Sequence, residues 1–299
     1  MAQSILVTGS SSGFGKLIVQ TLATAGHHVF ASMRDVDGRN SQNAQTLRDW
    51  GKAQGRRLDV VEMDVTDDAS VKRAVSGIVE STGRIDAVVN NAGVMNIGVN
   101  EAFTLENMQQ IYDVNVFGPF RVNKAALPQM RKQKSGLLIH ITSIAGRRIF
   151  PFIGIYASSK FALEGLAESF SYDLRLLGID SVIIEPGAYP TELGNNVVQP
   201  GDAEVLDGYG VVKPYMEGLG KVFESIFSGE NIPDPQDVAD AVLQLLELPA
   251  GKRPLRTVVD SISPEATEEI NEVTEKIQEK ALKNMGFEAL LPVSRTAKL

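Results

Sequence analysis

Cysteine is absent from the sequence, and only three of its 299 residues are histidine. Without thiols, the chain forms neither a disulfide nor a thiolate metal site. Two of the three histidines, His27 and His28, are adjacent and directly precede a predicted strand. We therefore expect no zinc site and no other metal site in this protein.

Long apolar runs and an excess of basic residues are missing as well. No run approaches the roughly 20 apolar residues that a membrane-spanning helix needs, and the net charge is −8. An acidic protein is poorly suited to general nucleic-acid binding, which needs a basic surface. No charged leader precedes the first apolar run. These features predict a soluble cytoplasmic protein with no nucleic-acid partner and no membrane span.

A loop of glycine and serine, which we call the glycine loop, occupies residues 8–15. It follows an apolar run at residues 5–7 and precedes a helical pattern, so it joins a predicted buried strand to a helix. Backbone N–H groups at such a helix start bind anions, and small residues let a pyrophosphate approach closely. The spacing G-x-x-x-G-x-G differs from the commoner G-x-G-x-x-G, and a tight turn without a ligand is the alternative.

Apolar segments with the length of strands alternate with helical patterns along most of the chain. Such alternation produces right-handed crossovers and a parallel sheet with helices on both faces. We therefore predict an α/β fold, with one three-layer, doubly wound domain over residues 1–262 and seven parallel strands. The predicted strands lie near residues 5–7, 28–33, 58–65, 85–90, 136–141, 179–184 and 255–260.

Two regions depart from this alternation. Residues 188–235 are rich in glycine and proline and follow a strand end, where a substrate lid would lie, although a pair of surface loops is the alternative. Residues 263–299 begin with Ser-Pro and carry apolar residues at helical spacing. They predict a C-terminal helical extension that packs on the domain or on a partner subunit.

The residues that follow the predicted strands are mostly small or polar. In an open parallel sheet, ligands bind at the carboxyl ends of the strands. The segments at this edge are the glycine loop, Asp64 and Val65, residues 90–93, Thr142 and Ser143, and Pro186 and Gly187. Their convergence predicts a cofactor crevice at one edge of the sheet.

Tyr156 and Lys160 are spaced i, i+4 at the start of a predicted helix, so they share one helix face. An ammonium beside a phenol favours the phenolate and lowers the tyrosine pKa from its ordinary value near 10. This pair predicts a general acid/base that works near neutral pH. The alternative is a solvated helix face, just as Ser143 alone could be an ordinary turn residue.

Six motifs occur in a fixed order over about residues 3–260. They are Thr8-Gly9-x-x-x-Gly13-x-Gly15, Asn90-Asn91-Ala92-Gly93, Asn115, Ser143, Tyr156-x-x-x-Lys160 and Pro186-Gly187-x-x-x-Thr191. In order and spacing they resemble the classical short-chain dehydrogenases/reductases. The resemblance implies a single-domain Rossmann fold with strand order 3-2-1-4-5-6-7 and a nicotinamide cofactor. Residues 29–34 and the tail are most similar to the branch that includes hydroxysteroid and retinol dehydrogenases.

The resemblance also implies roles for four catalytic residues. Tyr156 would exchange a proton with the substrate oxygen, and Ser143 would hydrogen-bond that oxygen. Lys160 would hold the nicotinamide ribose and lower the pKa of Tyr156. Asn115 would hold a water that links Lys160 to solvent.

A longer set of residues is implied to bind the cofactor. Asp64 would accept a hydrogen bond from the adenine, and Thr191 would bond the carboxamide of the nicotinamide. The full set is Gly9, Ser11, Ser12, Gly13, Phe14, Gly15, Arg34, Asp64, Val65, Asn90, Ala92, Gly93, Tyr156, Lys160, Pro186, Gly187 and Thr191.

The end of the second predicted strand distinguishes NAD from NADP. An acidic residue there accepts a bond from the 2′-hydroxyl of NAD, but Met33 occupies that position and Arg34 follows. A guanidinium suits a 2′-phosphate, and Ser12 could donate a further hydrogen bond. Asp35 would serve NAD if the loop were shifted, and Arg34 could simply be solvated. The pattern favours NADP(H).

The residues expected at the substrate end are mostly apolar. They are Met95, Ser143, Ala145, Phe150 and Tyr189. No arginine or lysine is placed there to hold a carboxylate, so we expect an uncharged, fairly hydrophobic ketone, aldehyde or secondary alcohol. Ordinary core packing is the alternative explanation for the apolar residues.

Together these observations predict an NADP(H)-dependent oxidoreductase of the carbonyl reductase type, with Tyr156 as general acid/base. Two alternatives remain: a non-catalytic protein that senses NADP(H), and an NAD-dependent alcohol dehydrogenase of the same fold. A sensor would need none of the four catalytic residues. The helices predicted at residues 105–131 and 157–177 are where this family pairs subunits, which predicts a homodimer or homotetramer.

Overall fold

The computed structural model describes residues 2–228, 231–291 and 294–296. Its centre is a parallel sheet with strand order β3-β2-β1-β4-β5-β6-β7-β8. The strands are β1 Ser4–Val7, β2 His28–Met33, β3 Leu58–Glu62, β4 Ala87–Asn90, β5 Gly136–Ile141, β6 Ile179–Pro186, β7 Pro254–Val259 and β8 Ser294–Thr296. The predicted order of seven strands is confirmed, and an eighth strand extends the sheet beyond β7.

The eighth strand comes from the tail that the sequence predicted as helical. Within the tail, a helix over Pro264–Asn284 precedes β8, and β8 pairs with β7 through Ser294 opposite Pro254 and Thr296 opposite Arg256. The sequence did not predict this strand. Residues 229–230 of the predicted lid, and residues 292–293 and 297–299 of the predicted tail, lie outside the described residues.

Helices cover both faces of the sheet. They are α1 Gly13–Thr24, α2 Ser41–Ala53, α3 Asp68–Thr82, α4 Leu105–Tyr112, α5 Gly118–Gln133, α6 Gly154–Arg175, α7 Ala203–Gly208, α8 Lys213–Ser228, α9 Gln236–Glu247 and α10 Pro264–Asn284. Buried residues of α1, α2 and α9 pack on one face, and those of α3, α5 and α6 pack on the other. The predicted three-layer arrangement is confirmed.

The residues of strand β1 explain why this strand lies at the centre of the sheet. All four of its residues are buried. Ile5 and Val7 pack into the core beneath α1, whereas Leu6 packs into the core beneath α3 and α5. Successive side chains of a strand point to opposite faces, so a strand covered on both faces is apolar throughout. The glycine loop is therefore held at the end of a fully buried strand.

The segment predicted as one kinked helix over residues 105–131 is interrupted by a wider turn. Helix α4 ends at Tyr112, a π-helical turn occupies Asp113–Phe117, and α5 begins at Gly118. A Cβ on Gly118 would lie 3.0 Å from a methyl of Val65, so glycine lets α5 approach the end of β3. The π-helical turn carries Asn115 into the interior, where it is 1% exposed.

The predicted lid contains several short elements. Val197–Val198 pairs with Met95–Asn96 in a two-stranded parallel ribbon, and α7 and α8 follow. Across the part of the chain that the structure describes, no helix combines the length and the apolar composition that crossing a bilayer requires.

Candidate active site

A cleft of about 650 Å³ opens at the edge of the sheet where β1, β4, β5 and β6 end. Most of the residues predicted to bind cofactor or substrate line it. These are Gly9, Ser11, Ser12, Gly13, Phe14, Arg34, Asp64, Val65, Ala92, Gly93, Met95, Ser143, Ala145, Phe150, Tyr156, Lys160, Pro186, Gly187, Tyr189 and Thr191. Three predicted residues, Gly15, Asn90 and Asn115, do not line the cleft.

The glycine loop has the geometry of an anion site. Ser12 is extended and precedes α1, which begins at Gly13 with neither a side-chain cap nor an acidic residue in its first turn. Gly9 has a φ of +67°, and a Cβ there would lie 2.8 Å from the Cα of Ala92. The helix start therefore presents N–H groups and positive charge to the cleft, which suits the phosphates of a dinucleotide.

Asn91 and Thr8 hold this loop against the end of β4. The Asn91 side-chain amide donates to the carbonyl oxygens of Thr8 and Gly9, at 2.9 and 3.1 Å. In return, Thr8 Oγ1 accepts from the backbone N–H groups of Asn91 and Ala92, both at 3.0 Å. The sequence placed both residues in motifs but did not predict this reciprocal arrangement.

Asn90 was predicted to bind the cofactor, but its side chain is directed elsewhere. Its Nδ2 donates to Asn123 Oδ1 at 2.8 Å, and both side chains are buried between β4 and α5. The reason is the two-residue alternation of a strand, which turns consecutive side chains to opposite faces. Asn91, one residue later, lines the cleft.

Gly15 contributes by packing rather than by lining the cleft. A Cβ at this position would lie 2.2 Å from the carbonyl oxygen of Gly9 and 2.5 Å from Asn91 Nδ2. These two groups hydrogen-bond each other, and that bond helps to hold the glycine loop in place. Glycine at this position therefore lets α1 start directly against the loop.

Gly15→Ala is expected to displace the glycine loop. Because the added methyl overlaps backbone, we expect NADPH binding to weaken at least about tenfold and unfolding to become easier by about 1–3 kcal/mol. Isothermal titration with NADPH and thermal unfolding measure the two effects. Gly77→Ala is the control, since a Cβ at that α3 glycine meets nothing within 4 Å. Equal NADPH affinity of both variants would contradict the prediction.

Ser143, Tyr156 and Lys160 meet at the centre of the cleft. Ser143 follows β5, and its Oγ accepts from the N–H of Ala145 at 3.0 Å while it also hydrogen-bonds Tyr156. Lys160 Nζ donates to the carbonyl oxygen of Ile141 at 2.9 Å and lies 5.6 Å from the centre of the Tyr156 ring. The predicted catalytic group is therefore assembled from the end of β5 and the first turns of α6.

Burial determines the protonation of this group. It raises the pKa of Tyr156 to about 12, against the opposing effect of the Ser143 hydrogen bond. It also lowers the pKa of Lys160 to about 8, against the opposing effect of Glu164. The expected lowering of the Tyr156 pKa is therefore not found for the protein's own groups, because burial of the phenol is the dominant cause of the shift.

Asn115 connects two parts of the site from outside the cleft. Its side chain accepts from Val94 N–H and donates to Val94 C=O, both at 2.9 Å. It also donates to Ser159 Oγ at 2.9 Å. These bonds tie the segment after β4 to α6 beside Lys160. The predicted water-holding role of Asn115 stays a prediction.

Two arginines line the cleft near the end of β2. Arg34 and Arg39 both line it, and the Asn40 amide donates to the Arg34 carbonyl oxygen at 2.6 Å. Asp35 does not line the cleft. It adopts a φ of +54°, and its carboxylate accepts from Arg39 N–H at 2.8 Å. The sequence analysis did not predict Arg39 as a cleft residue, although a second arginine five residues after Arg34 could have indicated a phosphate site.

The substrate end is apolar, with one charged pair. Met95 and Phe150 pack with buried Ala145 and Tyr156. Helix α8 adds a further set of cleft residues, Leu219, Val222, Phe223, Ile226 and Phe227. Tyr189 is nearly buried in the cleft wall, where its ring meets Phe14 edge-on at 5.5 Å.

Arg148 is an arginine at this end of the cleft that the sequence analysis did not place there. It lines the cleft and lies 5.1 Å over the Phe150 ring. Its guanidinium donates to Ser263 Oγ at 3.0 Å and lies 3.8 Å from the Asp260 carboxylate. The charge of Arg148 is therefore already balanced within the protein.

Comparison with known proteins now identifies the family. The model of the short chain dehydrogenase family matches residues 3–201. The chain belongs to the short-chain dehydrogenase family. This short-chain dehydrogenase is 34% identical over 265 residues to human retinol dehydrogenase 8, covering 85% of this chain and 80% of that protein. It is therefore an oxidoreductase, and the predicted family membership is confirmed.

Solved structures agree with this assignment. A short-chain dehydrogenase from Streptomyces avermitilis matches with a TM-score of 0.74 and 28% identity, over 96% of this chain and 97% of that one. An alcohol dehydrogenase from the archaeon Thermococcus sibiricus, solved with 5-hydroxy-NADP, matches with a TM-score of 0.69 and 26% identity. That match covers 88% of this short-chain dehydrogenase and 97% of the archaeal chain.

Proposed function

We propose that this short-chain dehydrogenase transfers a hydride between NADP(H) and a hydrophobic ketone, aldehyde or secondary alcohol. One observation carries the proposal: Ser143, Tyr156 and Lys160 converge in a cleft that is apolar at one end and has the glycine loop and two arginines at the other. This arrangement places the acid/base group between a site for a dinucleotide and a site for an apolar substrate.

The protonation of Tyr156 suits reduction at neutral pH. With a pKa of about 12, its hydroxyl holds a proton and donates it to the carbonyl oxygen of a substrate bound beside Ser143. Ser143 orients that oxygen, and Lys160 holds the nicotinamide ribose. When bound, the cofactor supplies the hydride in reduction and accepts it in oxidation. Oxidation needs the Tyr156 phenolate, so it is favoured at alkaline pH.

Arg34 and Arg39 support NADP(H) over NAD(H). Both residues line the end of the cleft where the adenosine ribose would bind, and guanidinium groups bind phosphate through bidentate hydrogen bonds. The carboxylate of Asp35 is engaged by the backbone of Arg39 instead of facing the cleft. The archaeal relative solved with 5-hydroxy-NADP agrees with this choice.

The lining of the substrate end supports an uncharged, fairly hydrophobic substrate. Apolar side chains of α8, together with Met95, Ala145 and Phe150, line this end of the cleft, and such a lining favours an apolar ligand. Arg148 is paired with Asp260, so it offers little surplus charge for a carboxylate. Helix α8 acts as the lid of this end. Similarity to retinol dehydrogenase 8 agrees with a hydrophobic alcohol or carbonyl.

Subunit pairing is the remaining part of the proposal. Large apolar side chains on α4, the π-helical turn, α5 and α6 are exposed, among them Leu105, Phe117, Phe120 and Phe161. Exposed apolar residues that cluster on neighbouring elements are typical of a protein interface. We infer a homodimer or homotetramer that uses this surface.

A substrate panel tests the proposed reaction. Aromatic ketones, aldehydes, steroids and polar sugars are assayed with NADPH and with NADH, by the absorbance of the reduced nicotinamide. We expect turnover of the uncharged hydrophobic carbonyls with NADPH. Turnover of polar sugars alone would contradict the apolar substrate site. NADPH binding without turnover across the panel would instead favour a non-catalytic sensor.

A further inference from the structure

We propose that Glu164, which does not line the cleft, positions Ser143 and Lys160 for the reaction from behind. The proposal rests on the proposed function, because it assigns Glu164 a part in the same acid/base group. Glu164 lies on α6, one helical turn after Lys160, and its side chain is 3% exposed. A carboxylate this deeply buried needs partners, and its partners lead to the active site.

One oxygen of Glu164 contacts the segment that follows β5 and carries Ser143. Glu164 Oε1 accepts from Thr142 Oγ1 at 2.6 Å, and Thr142 directly precedes Ser143. The turn after Ser143 packs on the same side chain, since a Cβ on Gly146 would lie 3.0 Å from Glu164 Cγ. The Glu164 side chain therefore fixes the residue before Ser143 and the turn after it.

The second oxygen belongs to a buried ionic network. Glu164 Oε2 accepts from Arg256 Nε at 2.9 Å, and Arg256 also contacts Glu168 at 2.6 Å and Glu185 at 3.6 Å. Glu185 accepts from Asn271 of α10 at 2.6 Å. The network lies behind the cleft and joins α6, β6, β7 and the C-terminal helix, so it holds Glu164 in one place.

Glu164 also acts on Lys160 through its charge. Burial lowers the pKa of Lys160 to about 8, and Glu164 is the neighbour that raises it. Without the Glu164 charge, Lys160 would lose its proton at a lower pH. The titratable and charged groups that face this pair are Tyr156 and Glu168 on α6, Glu185 on β6, Arg256 on β7 and Arg147 after the Ser143 turn.

If Glu164 only stabilised the fold by pairing with Arg256, it would make the same contacts. The experiment therefore separates this structural role from an effect of Glu164 on Lys160. Glu168 provides the matched control, because it pairs with the same arginine but lies one turn farther from Lys160. Glu164→Gln and Glu168→Gln each remove one carboxylate partner of Arg256. Only Glu164→Gln removes the charge that supports Lys160.

The experiment measures NADPH binding and turnover as functions of pH in the full-length wild type and in both variants. On the alkaline side, NADPH binding and turnover each fall to half at a pH that we call the alkaline midpoint. For Glu164→Gln we expect both alkaline midpoints to move down by about one pH unit, which is the low end of the shift that a nearby opposite charge produces. For Glu168→Gln we expect the wild-type midpoint, although its thermal stability should fall as well. Equal midpoints in all three proteins would overturn the proposal.

The contact with Thr142 is tested separately. Thr142→Val removes the hydroxyl that bonds Glu164 and the carbonyl oxygen of Ile184, and it keeps the charge of Glu164. We expect kcat to fall about tenfold with the alkaline midpoint unchanged, because Ser143 is less well placed. An unchanged kcat would overturn the positioning of Ser143.

Two further outcomes are distinguishable. If Glu164→Gln does not fold, Glu164→Met removes the same charge with an apolar side chain of similar volume, and the same downward shift is expected. If the wild type binds NADPH but turns over nothing, the proposed function fails. The pH dependence of NADPH binding still decides the effect of Glu164 on Lys160 in that case.

Discussion

Tyr156→Phe should lose nearly all turnover, by about a hundredfold to ten-thousandfold, and should still bind NADPH. In the proposed mechanism the buried hydroxyl of Tyr156 exchanges the proton. In the described part of the cleft the other phenol near Ser143 is that of Tyr189, whose hydroxyl bonds Asp237 and Val259. The ring itself packs with Ala145 and Ile153, and phenylalanine keeps that packing.

Steady-state kinetics on the best carbonyl of the panel, together with NADPH titration, measures this prediction. Tyr112→Phe is the control, because the Tyr112 hydroxyl bonds Ser158 Oγ at 3.1 Å and does not line the cleft. The control should keep wild-type turnover. If Tyr156→Phe keeps more than about a tenth of the wild-type kcat, another group is the acid/base and the assigned mechanism is wrong.

Arg34→Asp should change the cofactor preference. Losing a charge-assisted bond to the 2′-phosphate, and adding a negative charge near it, should weaken NADPH binding by about ten- to a hundredfold. NADH has no 2′-phosphate, so its binding should stay unchanged or improve. Arg39→Ala should act in the same direction, and the double variant should prefer NADH.

Titration of both cofactors against each variant measures the preference. Arg48→Asp is a matched control, since it makes the same change in net charge at an exposed position of α2 that does not line the cleft. It separates loss of a specific contact from a general loss of positive charge. Unchanged constants for both cofactors in Arg34→Asp would reject the assignment of the 2′-phosphate site.

The central strands of the sheet were predictable because burial on both faces forces nearly continuous apolar runs, and these runs are visible in the sequence. Strand β8 was not predictable, because it is three residues long and forms by pairing with β7. The π-helical turn at Asp113–Phe117 was foreseen only as a kink, because the sequence does not specify how a helix absorbs an extra residue.

Within the site, residue identity was predictable and orientation was not. The sequence placed Asn90 in the right motif, but the strand alternation turns its side chain toward Asn123. The positive φ of Asp35 decides that its carboxylate faces Arg39 N–H, and no local pattern specifies this. The pKa of Tyr156 depends on burial by distant segments, which is why neighbours in sequence gave the wrong direction.

Strand β8 has a consequence for the tendency of the folded protein to aggregate. An unpaired strand edge presents a row of free N–H and C=O groups that can recruit strands from other chains. By bonding to β7, Ser294–Thr296 occupies the outer edge of one of the longer buried strands of the sheet. Proteolytic trimming of this short segment would remove none of the residues that line the cleft. It would also convert the β7 edge into a template for aggregation.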